Sequence, residues 1–574
     1  MPAKRVGIPG VAALASAMAI APAIPARAGD VTGARLANAA SEPHNWLMNH
    51  RTYDSRRFSP LARINKDNVK NLRMVYAVAL GGTAINENLQ ATPLVEDGVL
   101  YISDQWGVVY KIDGRSGEFG RILWRMDPGQ EKVPLANRGV ALWGNLVVSV
   151  ANYPARVIAT NKDTGKVVWE TNMSDGQPDL QFTAAPLAVK DKIIVGAAGG
   201  DRGVRDYIAG LDAATGKALW KKYVIPAPGE PGSETWKDKN NAWRTGGGAM
   251  YVTGSYDVAA DQLIWGTGNP VPMFDATYRA GDNLFTNSVI SWNPDNGAMN
   301  WYFQYTPGDH WDYDEVGTHI LFEGQVNGAP RALVTHAGRN GFLYTMDRAN
   351  GQTVLAKPYM DNINWTKGID QKTGRPLDYV PGADIQMYAG VATPMPGDPP
   401  KKMCPNPAGG NNFWPATYSE KTKLLYIPAI NACVNILIDT ARHSNEKGWN
   451  GGAYSKLERA TSDLTAIDPL TGDIKTSLKG LPPNYGGTLS TAGGLIFTGF
   501  TEGTLVAYDD ADLKPLWKIN VGAGFNVAPM TFEHNGKQYI AISTGLSRYA
   551  MTRRDDTPEL KEMRNQTSLF VFGL

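Results

Sequence analysis

Short apolar runs bounded by turn residues recur along most of the chain. The segments 99–102 and 193–195 are typical, because each is only three or four residues long and is followed or preceded by Gly, Asp or Lys. Runs of that length suit β-strands, whereas amphipathic helices need longer segments with a 3.6-residue period. The pattern therefore predicts many short strands joined by tight turns, and an all-β fold rather than a helical bundle.

A recurring unit organises these strands. It consists of an apolar run that ends in Asp or Asn, a short turn that contains Gly and, in the clearest copies, a Trp a few residues later. The Asp or Asn side chain can cap the turn, and Gly supplies the positive φ that a tight strand connection needs. Seven copies begin at Asp113, Asn161, Asp212, Asn293, Asp347, Asp468 and Asp509.

The spacing of the Trp residues indicates the size of each unit. Trp124, Trp169 and Trp220 follow one another at intervals of 45 and 51 residues, the length of one four-stranded propeller blade. A further aromatic slot, Tyr76, precedes all seven turns, which suits a ring closed by pairing the two ends of the chain. We therefore predict an eight-bladed β-propeller with aromatic residues wedged between the blades.

Composition limits the classes of function. The formal net charge is +1 over 574 residues, so bulk electrostatics favours neither nucleic acid nor an anionic membrane surface as a partner. The two cysteines, Cys404 and Cys433, are most simply a disulfide in an oxidising compartment. The sequence has no C-x-x-C-H motif for covalent haem, no zinc-hydrolase His pattern and no Gly-rich fingerprint for NAD.

The first residues are typical of an export signal. Lys4 and Arg5 precede an apolar stretch over residues 11–24, and Ala26-Arg27-Ala28 matches an A-x-A cleavage site. The alternative is a membrane anchor, but the stretch is short for a span and contains a proline. We expect a signal peptide over 1–28, a single propeller over 29–574 with no membrane span, and a periplasmic location.

One acidic stretch is the strongest candidate for a functional site. Gly308–Glu315 holds four carboxylates and two large aromatics directly after an apolar run. A solvated loop is the commonest explanation for such a stretch, because adjacent carboxylates repel one another. The alternative is a cation site: Asp312 and Asp314 alternate with Tyr313, which puts both carboxylates on one side of an extended segment, and hard oxygen ligands suit a hard ion. The loop alone leaves both explanations open.

The mature chain as a whole resembles the pyrroloquinoline quinone (PQQ) dependent alcohol dehydrogenases, whose best-known members are the methanol dehydrogenase large subunits. The resemblance rests on the Trp-bearing repeats and on motifs that agree in order and spacing: Gln90-Ala91-Thr92-Pro93-Leu94, Asn137-Arg138-Gly139, Gly266-Thr267-Gly268-Asn269-Pro270, Trp311-Asp312-Tyr313-Asp314, Arg339-Asn340-Gly341 and Gly486-Gly487-Thr488. It implies an eight-bladed propeller with PQQ on the axis above a metal ion. Cys404 and Cys433 match the family's structural disulfide.

The resemblance also implies roles for individual residues. Asp312 matches the catalytic base beside the metal, and Arg339 matches the cationic residue that hydrogen-bonds the quinone oxygens. Asn269 matches a metal ligand, and Asp201 stands in the Gly-rich turn where family members have a Glu ligand. Asp is one methylene shorter, so this ligand must approach differently or bind through water. The positions that match the PQQ-binding residues are Gln90, Arg138, Thr183, Gly199, Gly200, Tyr251, Arg339, Asn412 and Tyr485.

Asp314 bears on the identity of the metal. In the family, calcium-type members have a small residue two places after the catalytic Asp, and lanthanide-type members have a second Asp there. A trivalent ion gains from one more anionic oxygen, both as a ligand and as charge balance. The resemblance therefore implies a lanthanide ion bound by Asp201, Asn269, Asp312 and Asp314, with calcium as the alternative.

The sequence departs from the family around the quinone site. Lys132 and Val133 stand where members usually have two adjacent cysteines, and Tyr251 and Tyr485 stand where they have Trp. Gln90 replaces a Glu and brings no charge. A phenol covers less of a quinone ring than an indole does, so we expect a remodelled, roomier pocket and an alcohol substrate bulkier than methanol.

The reaction that the resemblance implies is metal-assisted hydride transfer from a primary or secondary alcohol to PQQ. The metal would polarise a quinone carbonyl, Arg339 would steady its negative charge, and Asp312 would take the alcohol proton. A separate soluble cytochrome c is the expected electron acceptor, and a homodimer stays an open option. Two rival classes remain: a calcium-dependent quinoprotein sugar or polyol dehydrogenase, and a non-catalytic propeller scaffold.

Overall fold

The computed structural model describes residues 29–81, 88–133, 136–390, 392–442, 449–546 and 558–574. Eight sheets, seven of four strands and one extended to five, follow one another along the chain as the blades of a propeller. This confirms the all-β, eight-bladed fold predicted from the repeats. The predicted signal peptide over 1–28 lies outside the described residues.

The blades are numbered 1 to 8 in chain order. Blade 1 comprises Leu94–Glu96, Val99–Ser103, Val109–Asp113 and Arg121–Met126, and blade 2 comprises Ala141–Trp143, Leu146–Ala151, Arg156–Asn161 and Val167–Asn172. Blade 3 comprises Leu187–Val189, Lys192–Gly196, Tyr207–Asp212 and Ala218–Tyr223, and blade 4 comprises Ser255–Asp257, Gln262–Gly266, Ser288–Trp292 and Met299–Gln304. Blade 5 comprises Ile320–Val326, Ala329–Ala337, Phe342–Asp347 and Thr353–Pro358, and blade 6 comprises Thr417–Tyr418, Leu425–Asn431, Thr461–Ile467 and Ile474–Leu481. Blade 7 comprises Thr488–Thr491, Leu495–Gly499, Thr504–Asp509 and Pro515–Asn520, with Phe58–Ser59 added in parallel. Blade 8 comprises Met530–His534, Lys537–Ser543, Ser568–Gly573 and Arg73–Ala79.

A few elements lie outside the blades. A three-stranded sheet contains Lys401–Met403, Val434–Ile438 and Gly452–Leu457, and a parallel pair joins Asn88–Leu89 to Ala136–Asn137. The short α-helix Gly33–Ala37 is capped by Thr32, whose hydroxyl accepts from the Arg35 amide (3.1 Å). Single 3₁₀ turns span Ala39–Ser41, Val69–Asn71, Gly200–Arg202, Ser233–Thr235, Ala242–Arg244 and Pro558–Leu560. Within the described ranges, every helix falls short of the length and apolar character that a membrane crossing needs.

Blade 8 closes the ring with strands from both ends of the chain. Arg73–Ala79 pairs antiparallel with Ser568–Gly573, with Arg73 opposite Gly573. Trp517 of blade 7 donates its indole N–H to the carbonyl of Leu72, directly before the closing strand (2.9 Å). The predicted closure by pairing of the chain ends is confirmed.

The Trp residues of the repeats lie between neighbouring blades, as predicted. Trp169 of blade 2 donates its indole N–H to the carbonyl of Ala213 in blade 3 (3.2 Å). Its ring lies so close to Gly216 that a Cβ there would come within 2.3 Å of it, and Gly216 also has a positive φ of 72°. Only Gly satisfies both conditions. Equivalent indole bonds join Trp124 to Lys162, Trp220 to Pro294 and Trp301 to Arg348.

The direction of the strands separates two faces of the ring. In four antiparallel strands, the connection before the first strand and the connection between the second and third lie at the same end. All seven repeat turns connect third and fourth strands, so they lie at the opposite end. Every predicted site residue lies either before a first strand or between a second and a third strand, at the end opposite the repeat turns. These residues are Gln90, Arg138, Thr183, Gly199, Gly200, Asp201, Tyr251, Asn269, Asp312, Asp314, Arg339, Asn412 and Tyr485.

Candidate active site

The acidic loop Gly308–Glu315 is buried along its whole length, so it is not a solvated loop. The insertion that follows blade 5 covers it: the ring of Trp311 lies 5.3 Å from that of Trp365 and 5.8 Å from that of Tyr388. The Trp311 indole N–H also donates to the carbonyl of Ala392 (2.8 Å). The loop is therefore held by aromatic packing that excludes water from its outer side.

Two further side chains of the loop fix its shape. Asp309 accepts the backbone N–H groups of Trp311 (3.0 Å) and Tyr313 (3.1 Å), and burial raises its pKa to about 6. His310 has a ring nitrogen 2.9 Å from the carbonyl of Gln386. These contacts leave the carboxylates of Asp312 and Asp314 to face the interior of the ring.

Arg339 brings the two carboxylates together. One guanidinium nitrogen lies 2.5 Å from Oδ2 of Asp314, and another lies 3.5 Å from Oδ2 of Asp312 and donates to its carbonyl (2.7 Å). The Arg339 backbone N–H donates to Glu315 (3.1 Å), whose same oxygen lies 2.8 Å from the ring nitrogen of His336. The prediction that Asp312 and Asp314 share one side of the loop is therefore consistent with the contacts. His336 lies near the end of the strand Ala329–Ala337.

The two carboxylates differ in how they are held. Asp314 accepts three hydrogen bonds, from the Tyr251 hydroxyl (2.6 Å), the Asn269 backbone N–H (2.6 Å) and Arg339 (2.5 Å). Asp312 has only the looser 3.5 Å approach of Arg339 among the ion pairs of the described chain. Burial and the neighbouring charge of Asp314 raise the pKa of Asp312 well above its ordinary value, although Arg339 opposes the shift. The two carboxylates thus differ in hydrogen bonding, since Asp314 has three donors and Asp312 has one distant cation.

Asn269 and Asp201 complete the predicted ligand set. Asn269 donates its side-chain N–H to the carbonyl of Pro270 (3.0 Å), which leaves its amide oxygen as the end that can face a cation. Asp201 lies in the turn Gly200–Arg202 and is exposed, so it borders an open part of the site. Although its side chain reaches solvent, the many protein atoms around it desolvate the carboxylate, and together with the charge of Asp314 they raise its pKa to about 6. Gly199, with φ of 123°, begins this turn.

These residues have the right chemistry for a hard cation. Three carboxylates and one amide oxygen are hard ligands, and Arg339 is the cation that pairs with two of them. In the described part of the chain, no three acidic, His or Cys side chains already converge as a ligand set. Ion binding therefore requires small side-chain movements, above all of Asp314 relative to Arg339.

A second group surrounds Arg138. Its guanidinium donates to the Thr183 hydroxyl (3.0 Å) and to the carbonyl of Tyr251 (2.9 Å), and it lies 5.1 Å from the centre of the Tyr251 ring and 5.0 Å from that of Phe413. Burial lowers its pKa to about 10, and its Nε finds no acceptor among the described residues. A buried guanidinium with an unused N–H fits the carboxylates of PQQ.

The two groups are joined through Tyr251 and Asn412. Arg339 donates to the Tyr251 hydroxyl (2.5 Å) and to Oδ1 of Asn412 (3.0 Å), so Tyr251 contacts both arginines. Gln90 and Arg138 line a small neighbouring cavity of about 30 Å³, large enough for a water molecule. Tyr485 packs edge-on against Trp414 (5.0 Å), which lines the same cavity. Gln90 and Tyr485 thus lie at or beside the cavity that Arg138 lines.

The cysteine predictions can be checked directly. Cys404 and Cys433 form the predicted disulfide. Where the family has adjacent cysteines, the Lys132 ammonium group lies 6.0 Å from the centre of the Trp106 ring. The disulfide that is usual there is replaced by a cationic side chain over an aromatic ring.

Several residues of the site were not identified from the sequence. Phe413, which stacks on Arg138, had no motif to mark it, although it follows Asn412 directly. Glu315 and His336 position the backbone of Arg339, a role that depends on contact between separate blades. Asp206 is a fully buried carboxylate five residues after Asp201, and its position in the Gly-rich turn was the only available signal.

Comparison with known proteins agrees with this geometry. The family model described as "PQQ: Glucose/ethanol/alcohol dehydrogenase, beta-propeller domain" matches residues 46–357 and 458–540. The quinohemoprotein alcohol dehydrogenase of Comamonas testosteroni is 34% identical over 542 residues, which cover 89% of this chain and 73% of that protein. The quinoprotein alcohol dehydrogenase PedH of Pseudomonas putida is 34% identical over 537 residues, covering 88% and 86%.

Two solved structures superimpose on nearly the whole chain. A europium-containing methanol dehydrogenase superimposes with a TM-score of 0.85 at 28% identity, covering 94% of this chain and all of that one. The quinohemoprotein alcohol dehydrogenase from Comamonas testosteroni gives a TM-score of 0.84 at 31% identity, covering 94% and 84%. The chain therefore belongs to the PQQ-dependent alcohol dehydrogenase family.

Proposed function

We propose that this enzyme oxidises a primary or secondary alcohol bulkier than methanol to an aldehyde or ketone, with PQQ and a lanthanide ion as cofactors. The observation that carries the proposal is the contact of one arginine, Arg339, with two carboxylates, Asp312 and Asp314, beside Asn269. A scaffold propeller has no need to bury such a group, because each buried charge costs free energy unless it is paired.

PQQ would supply a quinone that accepts hydride, and the metal ion would act as a Lewis acid on its carbonyl. Arg138, Thr183 and Asn412 would hold the cofactor, and the Tyr251 ring would stack against it. Arg339 lies where it can donate to a quinone oxygen, because its guanidinium already contacts Tyr251 and Asn412. Gly199 and Gly200 would let the backbone approach closely, and Gln90 and Tyr485 would line the outer part of the pocket.

Asp312 is the proposed general base. It would take the proton of the alcohol hydroxyl, because among the ion pairs of the described residues its carboxylate has only the looser 3.5 Å approach of Arg339. Asp314 is held by three donors and would serve instead as an anionic ligand. The two neighbouring carboxylates therefore have different roles because their hydrogen-bond environments differ.

The metal would be bound by Asp201, Asn269, Asp312 and Asp314. The lanthanide assignment rests on Asp314, which adds a carboxylate that a trivalent ion favours. Calcium is the alternative. The europium-containing methanol dehydrogenase, a structural neighbour of this chain, supports the assignment by analogy only.

The substrate proposal rests on the walls of the pocket. Tyr251 offers a smaller ring than Trp, and Lys132 stands where the family has a cysteine pair. We propose that the smaller ring of Tyr251 and the loss of the cysteine pair make the pocket roomier. The sequence lacks a C-x-x-C-H motif, so we propose a separate cytochrome c as the electron acceptor and export to the periplasm by the signal over 1–28. A homodimer is compatible with this proposal but has no direct support.

Reconstitution tests the proposal. Protein stripped of cofactor and metal is given PQQ with lanthanum or PQQ with calcium, and activity is followed with a dye acceptor over methanol, larger primary and secondary alcohols, sugars and polyols. We expect lanthanum-dependent activity on the larger alcohols, and its loss in Asp314→Ala. Activity with calcium alone on sugars or polyols would favour the rival dehydrogenase class. A strong preference for methanol would contradict the substrate proposal, and a failure to bind quinone would favour a scaffold.

A further inference from the structure

A fully buried carboxylate lies beside the proposed metal site and has no role in the scheme above. Asp206 directly precedes strand Tyr207–Asp212 of blade 3 and is 0% exposed. Neither of its carboxylate oxygens has a hydrogen-bond partner in the described part of the chain. Its backbone is fully used, because its N–H donates to Gly247 (3.2 Å) and its carbonyl accepts from Val224 (3.0 Å). The side chain is thus fixed in place with no charged partner, and only the backbone of Gly200 is near enough to favour its ionised form.

The nearest arginines in sequence point elsewhere. Arg205 donates to the carbonyl of Ile225 (2.9 Å) and lies 4.1 Å from the centre of the Tyr223 ring. Arg202 donates to the Tyr153 hydroxyl (2.6 Å). A buried carboxylate without a cation is costly, and a bound cation would remove that cost.

The position of Asp206 indicates which partner that is. A Cβ placed on Gly200, the residue before Asp201, would lie 3.0 Å from Oδ2 of Asp206 and 2.9 Å from the Cα of Gly247. Gly247 in turn packs against the backbone of Asn269. Burial raises the pKa of Asp206 well above its ordinary value, and the charges of Asp201 and then Asp314 contribute, while the Gly200 backbone opposes the shift. Asp206 therefore lies behind the turn that carries Asp201, near enough for the charges of Asp201 and Asp314 to act on its carboxylate.

We propose that Asp206 is an additional cation-binding residue of this metal centre. The inference rests on the proposed function, because it assumes that Asp201, Asn269, Asp312 and Asp314 bind a metal. With Asp206 the centre has four carboxylates, of which Asp312 and Asp314 contact the guanidinium of Arg339, so the excess negative charge suits a trivalent ion. The extra carboxylate also offsets the short reach of Asp201, either by direct ligation or through one bound water.

Terbium binding tests the inference without reference to activity. Metal-free protein is titrated with Tb³⁺, and emission sensitised by the nearby aromatic side chains gives the dissociation constant. We expect Asp206→Asn to weaken Tb³⁺ binding by about 10- to 100-fold, the usual effect of a residue that supports a metal site. The loss for Ca²⁺, measured by competition, should be smaller. Asp314→Asn serves as the positive control.

A matched control separates metal binding from general effects on folding. Asp104 is another buried carboxylate with a pKa raised to about 6 by burial, but it lies in blade 1 and accepts from the Tyr110 hydroxyl (3.0 Å). Asp104→Asn should leave Tb³⁺ affinity unchanged. The thermal midpoint of each variant is measured without metal, and Asp206→Asn should be at least as stable as the wild type because it removes an unpaired buried charge.

The outcomes distinguish the inference from the function on which it rests. Europium emission lifetimes in H₂O and D₂O count the bound waters, and one extra water in Asp206→Asn would show direct ligation. If wild-type protein binds Tb³⁺ tightly and Asp206→Asn binds it equally well, Asp206 has no part in the site and only this inference fails. If the wild type itself does not bind Tb³⁺ or Ca²⁺, with or without PQQ, the metal proposal fails and takes the inference with it.

Discussion

The two faces of the propeller are built in different ways. On one face, the repeat turns make nearly the same contact several times, with an indole N–H donating to a carbonyl of the next blade, as Trp124 does to Lys162 (3.0 Å) and Trp220 to Pro294 (3.0 Å). On the other face, each contact occurs once. Arg339, Asp314 and Tyr251 come from three separate connections and form a single network.

The difference lies in where free energy is gained and lost. The repeat turns bury aromatic surface and satisfy the indole N–H groups that lie between blades, so each of them stabilises the ring locally. The site buries carboxylates and guanidinium groups that raise or lower one another's pKa, which costs stability and creates reactivity. Changes on the turn face should therefore alter stability with little effect on catalysis, and changes on the site face should do the reverse.

The largest expected effect is on the site face. Asp312→Asn keeps the shape of the side chain but removes the proposed base, so kcat should fall by about 10²- to 10⁴-fold. Binding of PQQ, followed by its absorbance, should persist. Asp104→Asn is the control, since it removes a buried carboxylate that accepts from the Tyr110 hydroxyl and is not among the proposed ligands. A kcat within threefold of the wild type would show that another group accepts the proton.

The matching test on the turn face is Trp220→Ala. Removing this half-buried ring should lower the free energy of unfolding by about 3 kcal/mol, near the lower end for large aromatic residues. We expect kcat per folded molecule to stay unchanged. Val167→Ala, an exposed position on an outer strand, should change stability by less than about 0.5 kcal/mol. A large loss of kcat in Trp220→Ala would mean that the two faces are coupled.

A third test concerns the cofactor cradle. Arg138→Gln removes a buried charge that we assign to the PQQ carboxylates, so affinity for PQQ should fall by about 10- to 100-fold, as expected for one or two charge-assisted hydrogen bonds. Arg205→Gln is the control, because Arg205 also stacks on an aromatic ring, that of Tyr223, but outside the proposed cradle. Fluorescence quenching by PQQ measures both. Equal affinities for wild type and Arg138→Gln would remove Arg138 from the cradle.

The smallest effect is a pH dependence of stability. Burial lowers the pKa of His310 from 6.5 to about 3, so the folded protein binds fewer protons there than the unfolded chain. Its stabilising contribution is complete above about pH 6.5 and declines as the pH falls towards 3, by about 2 kcal/mol at pH 5. The stability difference between wild type and His310→Gln, measured in urea, should therefore shrink by that amount between pH 7 and pH 5. The partly exposed His44 gives the control variant His44→Gln, and a difference that stays constant would show that His310 does not titrate in this way.

The turn face could be predicted almost completely from sequence. Asp, Gly and Trp recur at fixed offsets because each turn is a local solution to joining two strands, and Trp169 and Gly216 were placed correctly by spacing alone. Asp312, Asp314 and Arg339 came from the motifs of a known family rather than from local rules. Their mutual contact is in the structure, while their roles remain predictions.

The rest of the site could not be predicted because it depends on long-range packing. Burial of the acidic loop is imposed by Trp365 and Tyr388, which belong to an insertion whose conformation no local pattern determines. The contact between Arg138 and Phe413 joins residues 275 positions apart. Asp206 has no sequence signal beyond its place near the Gly-rich turn, and its burial without a charged partner is visible only in the structure.

The most direct test of the central claim is an anomalous diffraction map from crystals of the protein reconstituted with PQQ and europium. Our account predicts one strong europium peak in contact with the carboxylates of Asp312 and Asp314 and with the amide oxygen of Asn269, and quinone density between Arg339 and Arg138. A map in which europium lies elsewhere, while Asp314 stays bonded to Arg339, would contradict the account.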